Sequence, residues 1–349
     1  MRKVYIGIDI GSKTSAAAAI DVRGRLLAAE EFKTTERNLI GFVQRQGKRA
    51  RVLIEEGELA GWVYRTLLPD AEIVEVADPK RNAWIAKAAR KDDRTDALKL
   101  AELLRLGSYS PIYHPEEEEM AAFKVTVKHY DRMVKRTTAV MNQIKAILRG
   151  QGVITDGKQV YGIKGRAEAI SEVTRPEVRE MLMQDYSLLD HLLKERARAR
   201  SLVVRLSKKF PVIERFRKMP GVDYVLASRF VAYIQNPNRF NKRELWRFSS
   251  LGVVKRESAG SSVGREHLDK AGNGALKDLS RKAFNGAMTT RRDNGIKTFY
   301  QRSCARTGNK NHARLNTQRK ILVVMNAVWR DGTEYSDEMF IGKGAFGST

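Results

Sequence analysis

The sequence predicts an α/β N-terminal domain, a long helical spacer and a mainly α-helical C-terminal domain. Three observations support this organisation. Short apolar strands alternate with amphipathic helices through residues 1–112, two long amphipathic helices, the first with heptad spacing, lie within 113–208, and short basic helices follow in 209–335. The last segment, 336–349, is predicted to be a disordered tail.

The N-terminal domain begins with three short strands and continues with alternating helices and strands. Tight turns connect the first three strands, which predicts an antiparallel meander. The complete order βββαβαβα is typical of a ribonuclease-H-like (RuvC-like) fold, in which helices flank a mixed sheet. The predicted strands are 4–13, 14–21, 26–32, 51–54 and 71–76, and the predicted helices are 38–46, 59–68 and 93–106.

The spacer is predicted to be a coiled coil. From Met120 to Leu148, apolar residues recur at alternating spacings of three and four over four heptads. The acids at 116–119 precede this helix and suit its positive N-terminal end. A second amphipathic helix is predicted over 176–206. The two helices could fold back on each other as an antiparallel hairpin or pair between subunits.

The charge of the chain indicates a polyanionic partner. Its 349 residues include 65 Lys and Arg against 41 Asp and Glu, which gives a formal net charge of +24 and a pI near 10.1. No apolar run approaches 18 residues and the N-terminus lacks a signal-peptide core, so we expect a cytoplasmic protein without a membrane segment. The single cysteine, Cys304, excludes a disulfide framework and a cysteine-rich zinc site.

Four acids are candidate metal ligands. Asp9 interrupts an apolar strand, where a lone carboxylate is costly unless it is paired or binds a metal. Glu55 ends the fourth strand, and Asp93 and Asp96 lie one turn apart on one helix face. In a ribonuclease-H-like sheet these acids converge on one edge, where two Mg²⁺ ions would neutralise them and promote phosphodiester cleavage. The neighbouring acids Glu56 and Glu58 compete with Glu55 for the ligand position.

With its acids in this order, the chain resembles the DEDD-type insertion-sequence transposases, the family of bridge-RNA-guided recombinases. The resemblance implies a RuvC-like domain that holds Mg²⁺ with the four acids, and a C-terminal transposase domain with a serine nucleophile. It also implies tetramers formed through coiled coils, and a structured non-coding guide RNA that pairs with donor and target DNA. The matching motifs are Ile6-Gly7-Ile8-Asp9-Ile10-Gly11, Val52-Leu53-Ile54-Glu55, Lys91-x-Asp93-x-x-Asp96-Ala97, Pro220-Gly221-Val222, Arg239-Phe240, Leu251-Gly252 and Lys270-x-Gly272-Asn273.

The serine position departs from the family pattern. Counting back from Gly272 places Ala259 near the expected nucleophile, with Ser258 one residue earlier. Either Ser258 is the nucleophile in a shifted register, or the position has changed to Ala259 and the chain is a cleavage-deficient form. We choose Ser258, which would need activation by a metal or a base. The basic residues around this loop are candidate phosphate contacts: Arg239, Lys242, Arg243, Lys255, Arg256, Arg265, Lys270 and Lys277.

Other functions fit the sequence less well. The first strand and its Asp9-Ile10-Gly11-Ser12 turn are similar to the phosphate loop of actin-like ATPases, but the sequence contains no second Asp-x-Gly loop and no Gly-Gly adenosine site. A metal-dependent, structure-specific nuclease similar to Holliday-junction resolvases would use the same acids. A nucleic-acid-binding scaffold without catalysis remains an alternative if Ala259 occupies the nucleophile position.

Overall fold

A computed structural model describes residues 3–47, 49–79, 93–155, 157–254, 257–258, 261–262 and 267–342. The chain divides into two compact units, Met1–Ala121 and Ala122–Thr349. The first unit extends slightly past the predicted N-terminal domain. The predicted division of the second unit into a spacer and a C-terminal domain remains a prediction.

The first unit contains one five-stranded mixed sheet, in the order β3-β2-β1-β4-β5. The first three strands pair antiparallel, whereas β4 is parallel to both β1 and β5. This arrangement confirms the predicted meander followed by βα units and is compatible with a ribonuclease-H-like fold. The elements are β1 (Val4–Ile10), β2 (Thr14–Ile20), β3 (Leu26–Lys33), α1 (Glu36–Gln46), β4 (Ala50–Glu55), α2 (Ala60–Leu67), β5 (Ile73–Ala77) and α3 (Asp93–Leu106).

The two faces of the sheet have different cores because side chains alternate along each strand. On one face, Ile6 and Ile8 of β1 pack in a large apolar core with Phe42 of α1 and Val63 of α2. On the other face α3 covers the sheet, and its Leu100, Leu103 and Leu104 cluster with Leu53 and Tyr5. The helix that carries two of the predicted acids therefore lies against the strands that carry the other two.

Two long helices open the second unit, as the sequence predicted. The helix α4 (Glu118–Gly150) begins at the boundary between the units, and α5 (Ile163–Ser171) and α6 (Pro176–Ser207) follow. Residues from the two long helices share one buried cluster, which includes Ile144 and Leu189. The helices are thus joined within the chain, whereas pairing as a coiled coil between subunits remains a prediction.

The C-terminal part of the second unit is mainly α-helical. Its core includes Phe216 and Phe230, which meet edge to face at 5.3 Å between ring centroids. The helices are α7 (Val212–Arg217), α8 (Tyr224–Ile234), α9 (Lys242–Phe248), α10 (Gly274–Thr289), α11 (Gly295–Thr307), α12 (Lys310–Arg330) and α13 (Asp337–Ile341). Short strands between α9 and α10 are β6 (Val253–Val254), β7 (Glu257–Ser258), β8 (Ser261–Ser262) and β9 (His267–Leu268).

The prediction of a disordered tail over 336–349 is wrong for its first part. The helix α13 forms there because the Ser336 hydroxyl accepts a hydrogen bond from the Met339 amide and caps the helix. Phe340 is fully buried and meets the Phe299 ring edge to face at 5.6 Å. The contact between the Phe340 and Phe299 rings holds the short helix in place. Residues 343–349 lie outside the described part of the chain.

Candidate active site

The position of Asp9 follows from the alternation along β1. Tyr5 and Gly7 face α3, so Asp9, two residues further on, points to the same side of the sheet. The parallel pairing of β1 with β4 matches Ile8 with Ile54, so the next residues, Asp9 near the end of β1 and Glu55 at the end of β4, lie side by side. Both acids therefore belong to the helix-covered face of the sheet.

Gly7 brings α3 unusually close to the sheet. A Cβ atom at this position would lie 2.0 Å from the Ala97 carbonyl oxygen and 2.4 Å from the Ala101 amide nitrogen. The neighbouring strand β2 also presents small side chains, and Ala16 and Ala18 form a buried cluster with Ala97. A strand surface of glycine and alanine thus holds the first turn of α3 next to the ends of β1 and β4.

The pKa values of the acids reflect this convergence. Burial raises the pKa of Asp9, the charges of Asp93 and Asp96 raise it further, and a hydrogen bond from the Ile10 backbone opposes them. Burial is also the first cause that raises the pKa of Glu55, followed by the charges of Asp9 and Asp96. The structure therefore brings acids from three elements within electrostatic range of one another. Their roles in catalysis remain predictions.

The structure distinguishes Glu55 from its neighbour Glu56. The His114 Nε2 atom lies 2.6 Å from Glu56 Oε2, and the His114 side chain is only 13% exposed. The Glu56 carboxylate is thus paired with His114, which lies near the end of the first unit. The amide of Glu56 donates to the Ala77 carbonyl, which fixes the turn after β4. These contacts favour Glu55 as the acid that faces Asp9.

A divalent cation fits the chemistry of this donor set, because hard cations prefer carboxylate oxygens. In the described part of the chain, however, no three acidic, histidine or cysteine side chains lie close enough to enclose a metal ion. The ammonium group of Lys99 lies 2.6 Å from Asp96 Oδ1. A cation that used all four acids would therefore have to draw Asp96 away from Lys99.

The candidate serine lies in one of two short antiparallel strand pairs of the second unit. Val253 pairs with Leu268 in one of them, and Ser258 pairs with Ser261 in the other. The serine-rich segment is thus built partly of paired strands. The alternative nucleophile position, Ala259, lies outside the described residues, as do Lys255, Arg256 and Arg265.

The remaining basic candidates differ in their surroundings. The Arg239 guanidinium lies 4.6 Å from the Phe240 ring centroid and donates to the Ile234 carbonyl, so it holds a turn of the chain. Lys242 lies over the Trp246 ring. Arg243 and Lys270 are exposed, and Lys277 is half-buried on α10. Phosphate contact remains a prediction for all of them.

Sequence reasoning missed several residues that shape the site. Gly7 carried a signal, since a glycine inside an apolar strand often marks a close backbone approach. Lys99 follows Asp96 by three residues, which is contact distance on a helix. The pair of Glu56 and His114 is separated by 58 positions and had no local signal.

The mixed sheet, with carboxylates gathered on its helix-covered face, is the arrangement expected of a DEDD-type transposase domain. Residues 6–152 match the family model DEDD_Tnp_IS110, described as a transposase, and residues 213–301 match the model described as transposase of the IS116/IS110/IS902 family. The chain belongs to the IS110 family of DEDD transposases. Enzymes of this kind carry out DNA recombination and typically use a divalent metal.

Two transposases illustrate the similarity. The transposase for insertion sequence element IS1111A of Coxiella burnetii is 23% identical over 78% of this chain and 75% of its own length. The putative transposase y4qE of Sinorhizobium fredii is 22% identical over 80% of this chain and 70% of its own. These matches give no support to the ATPase alternative. Within the described residues, no helix is both long enough and apolar enough to span a membrane.

Proposed function

We propose that this protein is an RNA-guided transposase that cuts and exchanges DNA strands with a Mg²⁺-binding acid cluster and a serine nucleophile. The observation that carries the proposal is the convergence of Asp9, Glu55, Asp93 and Asp96 on one face of the sheet, where burial first and neighbouring acids second raise the pKa values of Asp9 and Glu55. Carboxylates that repel one another in this way bind divalent cations favourably. The net charge of +24 suits a complex with DNA and RNA.

In this proposal the chain's own residues perform distinct tasks. When bound, Mg²⁺ lowers the barrier by stabilising charge on the phosphate and on the attacking and leaving oxygens. Asp9, Glu55, Asp93 and Asp96 would hold it. The Ser258 hydroxyl attacks phosphorus and gives its proton to water, a serine–DNA phosphodiester forms as the bond between phosphorus and the leaving oxygen breaks, and the leaving oxygen takes a proton from water.

The acids and the serine belong to different compact units. We propose that they act together in a homo-oligomer, a tetramer joined through coiled coils of α4 and α6, in which the acids of one subunit meet the serine of another. The guide RNA selects the donor and target DNA by base pairing. The complex acts in the cytoplasm, where these nucleic acids are present.

The test uses purified protein, the non-coding RNA transcribed beside its gene, Mg²⁺, and donor and target DNA. We expect strand cleavage and exchange, and we expect Asp9→Asn to abolish both while RNA binding is kept. Full activity of Asp9→Asn would exclude the acid cluster as the active site. Equal exchange without RNA would exclude RNA guidance.

The nucleophile is tested by trapping a covalent protein–DNA adduct. If Ser258 attacks phosphorus, Ser258→Ala loses the adduct. If the native chain forms no adduct and Ala259→Ser gains one, the nucleophile position is 259 and the native chain is cleavage-deficient. If the native protein cleaves DNA and neither substitution alters an adduct, the assignment of a serine nucleophile at this turn is wrong.

A further inference from the structure

A row of paired residues crosses the sheet at the level of Asp9. Asp9 of β1 pairs with Ala16 of β2, and Ala16 pairs in turn with Glu31 of β3. Directly paired residues point to the same face of a sheet. Ala16 belongs to the buried cluster with Ala97 of α3, so this row lies on the face that α3 covers. Glu31 therefore shares the face and the level of Asp9, two strands away.

Arg94 links this row to the first turn of α3. Its Nε atom lies 3.0 Å from Glu31 Oε1, although 63 positions separate the two residues. Arg94 directly follows Asp93 and lies two residues before Asp96, so all three belong to the same turn of the helix. The ion pair therefore connects the turn that carries both candidate ligands of α3 to β3, an edge strand of the sheet.

Burial holds the later turns of α3 more firmly than its first turn. The buried side chains of this helix begin at Ala97, whereas Asp93 and Arg94 are exposed. The close contact with Gly7 also begins at the Ala97 carbonyl. Helix ends fray where tertiary contacts do not hold them. A polar contact made by Arg94 can therefore decide how firmly the first turn lies against the sheet.

We infer that Arg94 and Glu31 are positioning residues for the acid site, because their ion pair holds the first turn of α3 at the level of Asp9. This inference rests on the proposed function, in which the four acids hold a divalent cation. The pair acts on the cation through Asp93 and Asp96, whose backbone belongs to the turn that the pair holds. The Arg94 and Glu31 side chains are 59% and 48% exposed. Ion pairs exposed to this degree change an equilibrium by up to about fivefold, and salt screens them.

The test compares Glu31→Gln and Arg94→Gln with a matched control, Glu30→Gln. Glu30 precedes Glu31 on β3 and pairs with Arg45 of α1 at 2.6 Å, so the control removes an ion pair of similar exposure on the opposite face of the sheet. At low salt we expect the first two variants to bind Mn²⁺ about three- to fivefold more weakly in a calorimetric titration. The control should bind within about twofold of the native protein. At about 1 M salt the three variants should bind alike, because the ion pairs are screened.

The two substitutions also separate an effect of position from an effect of charge. If the charges alone mattered, loss of the negative Glu31 would weaken Mn²⁺ binding, whereas loss of the positive Arg94 would strengthen it. Positioning weakens binding in both variants, and Arg94→Lys, which can keep an ion pair, should stay within about twofold of the native affinity. Tighter binding by Arg94→Gln, or native affinity in both Gln variants, would overturn the inference.

Hydrogen exchange of the metal-free protein provides a readout that does not depend on the acids binding a cation. The amides of 97 and 98 donate to the carbonyls of the first turn of α3. We expect them to exchange about three- to fivefold faster in Glu31→Gln and at the native rate in Glu30→Gln. Native exchange in Glu31→Gln would overturn the inference. If Asp9→Asn binds Mn²⁺ and cleaves DNA like the native protein, the proposed acid site fails, whereas the exchange result still judges whether the ion pair holds the turn.

Discussion

Replacing Gly7 by alanine tests how the acid site is built. The new Cβ atom would lie 2.0 Å from the Ala97 carbonyl oxygen, 2.4 Å from the Ala101 amide nitrogen and 2.7 Å from Leu100 Cβ. Two of these atoms belong to the backbone of α3, so no side-chain rotation relieves the overlap. The helix must retreat by roughly 1 Å to restore ordinary contact distances.

The cost of this retreat has two parts. Overpacking of a close interface lowers the free energy of unfolding by about 1–3 kcal/mol. The retreat also carries Asp93 and Asp96 away from Asp9 and Glu55, because the two aspartates are fixed to the same helix. A displacement of about 1 Å lowers a rate that depends on alignment about 100-fold. We therefore expect Gly7→Ala to be folded at low temperature, less stable and nearly inactive.

The control is Gly41→Ala in the same unit. Gly41 lies inside α1, and a Cβ atom there would meet only the end of the Arg45 side chain, at 3.6 Å. Alanine should stabilise this helix by about 0.5–1 kcal/mol and leave cleavage unchanged. Urea unfolding and single-turnover cleavage measure the two effects. Native stability and native cleavage in Gly7→Ala would refute the close packing of α3 on β1.

Three further outcomes follow from the site. Glu55→Gln should lower single-turnover cleavage at least about 100-fold and Glu56→Gln less than about tenfold, because the Glu56 carboxylate is hydrogen-bonded elsewhere; equal losses would reverse the assignment. The folded-state pKa of Asp9 is raised, so this carboxyl favours folding at acidic pH and opposes it as pH rises through that pKa. Asp9→Asn should therefore stabilise the metal-free protein by about 1 kcal/mol at pH 7 and not below about pH 4, as thermal unfolding at both pH values will measure. Lys99→Met should bind Mn²⁺ about three- to tenfold more tightly in a calorimetric titration, since Asp96 is released from its ammonium partner; unchanged affinity would contradict that competition.

Much of the N-terminal unit could be predicted because its signals are local. Alternating apolar residues specify the strands, and the spacing of three between Asp93 and Asp96 specifies a shared helix face. The meeting of Asp9 with Glu55 followed from the order of strands in the predicted fold. The close approach of α3 at Gly7 depends on small residues of β1, β2 and α3 that fit against one another. The helix is distant from the two strands in the sequence, so no short stretch of the sequence predicts the contact.

The second unit was harder to predict, for a different reason. The long helices carry a strong periodic signal and appear as expected. The helix α13 was missed because its one local signal is the Ser336 cap, and a five-residue helix also needs the burial of Phe340, which no sequence pattern shows. The hydrogen bond from Arg319 to the Leu251 carbonyl joins residues 68 positions apart and gives no pattern along the chain.

Residues on the two faces of β1 should tolerate different substitutions, because alternate side chains point to opposite sides of the sheet. Ile6 and Ile8 contribute only volume to an apolar core, so natural variants can exchange them for other large apolar residues. Gly7 must stay small because it packs against the backbone of α3, and under the proposed function Asp9 must stay acidic as a metal ligand. The number of substitutions tolerated at each position should therefore alternate along the strand with a period of two residues. An insertion of one residue would turn the acid toward the apolar core, so this strand should not tolerate a change in length.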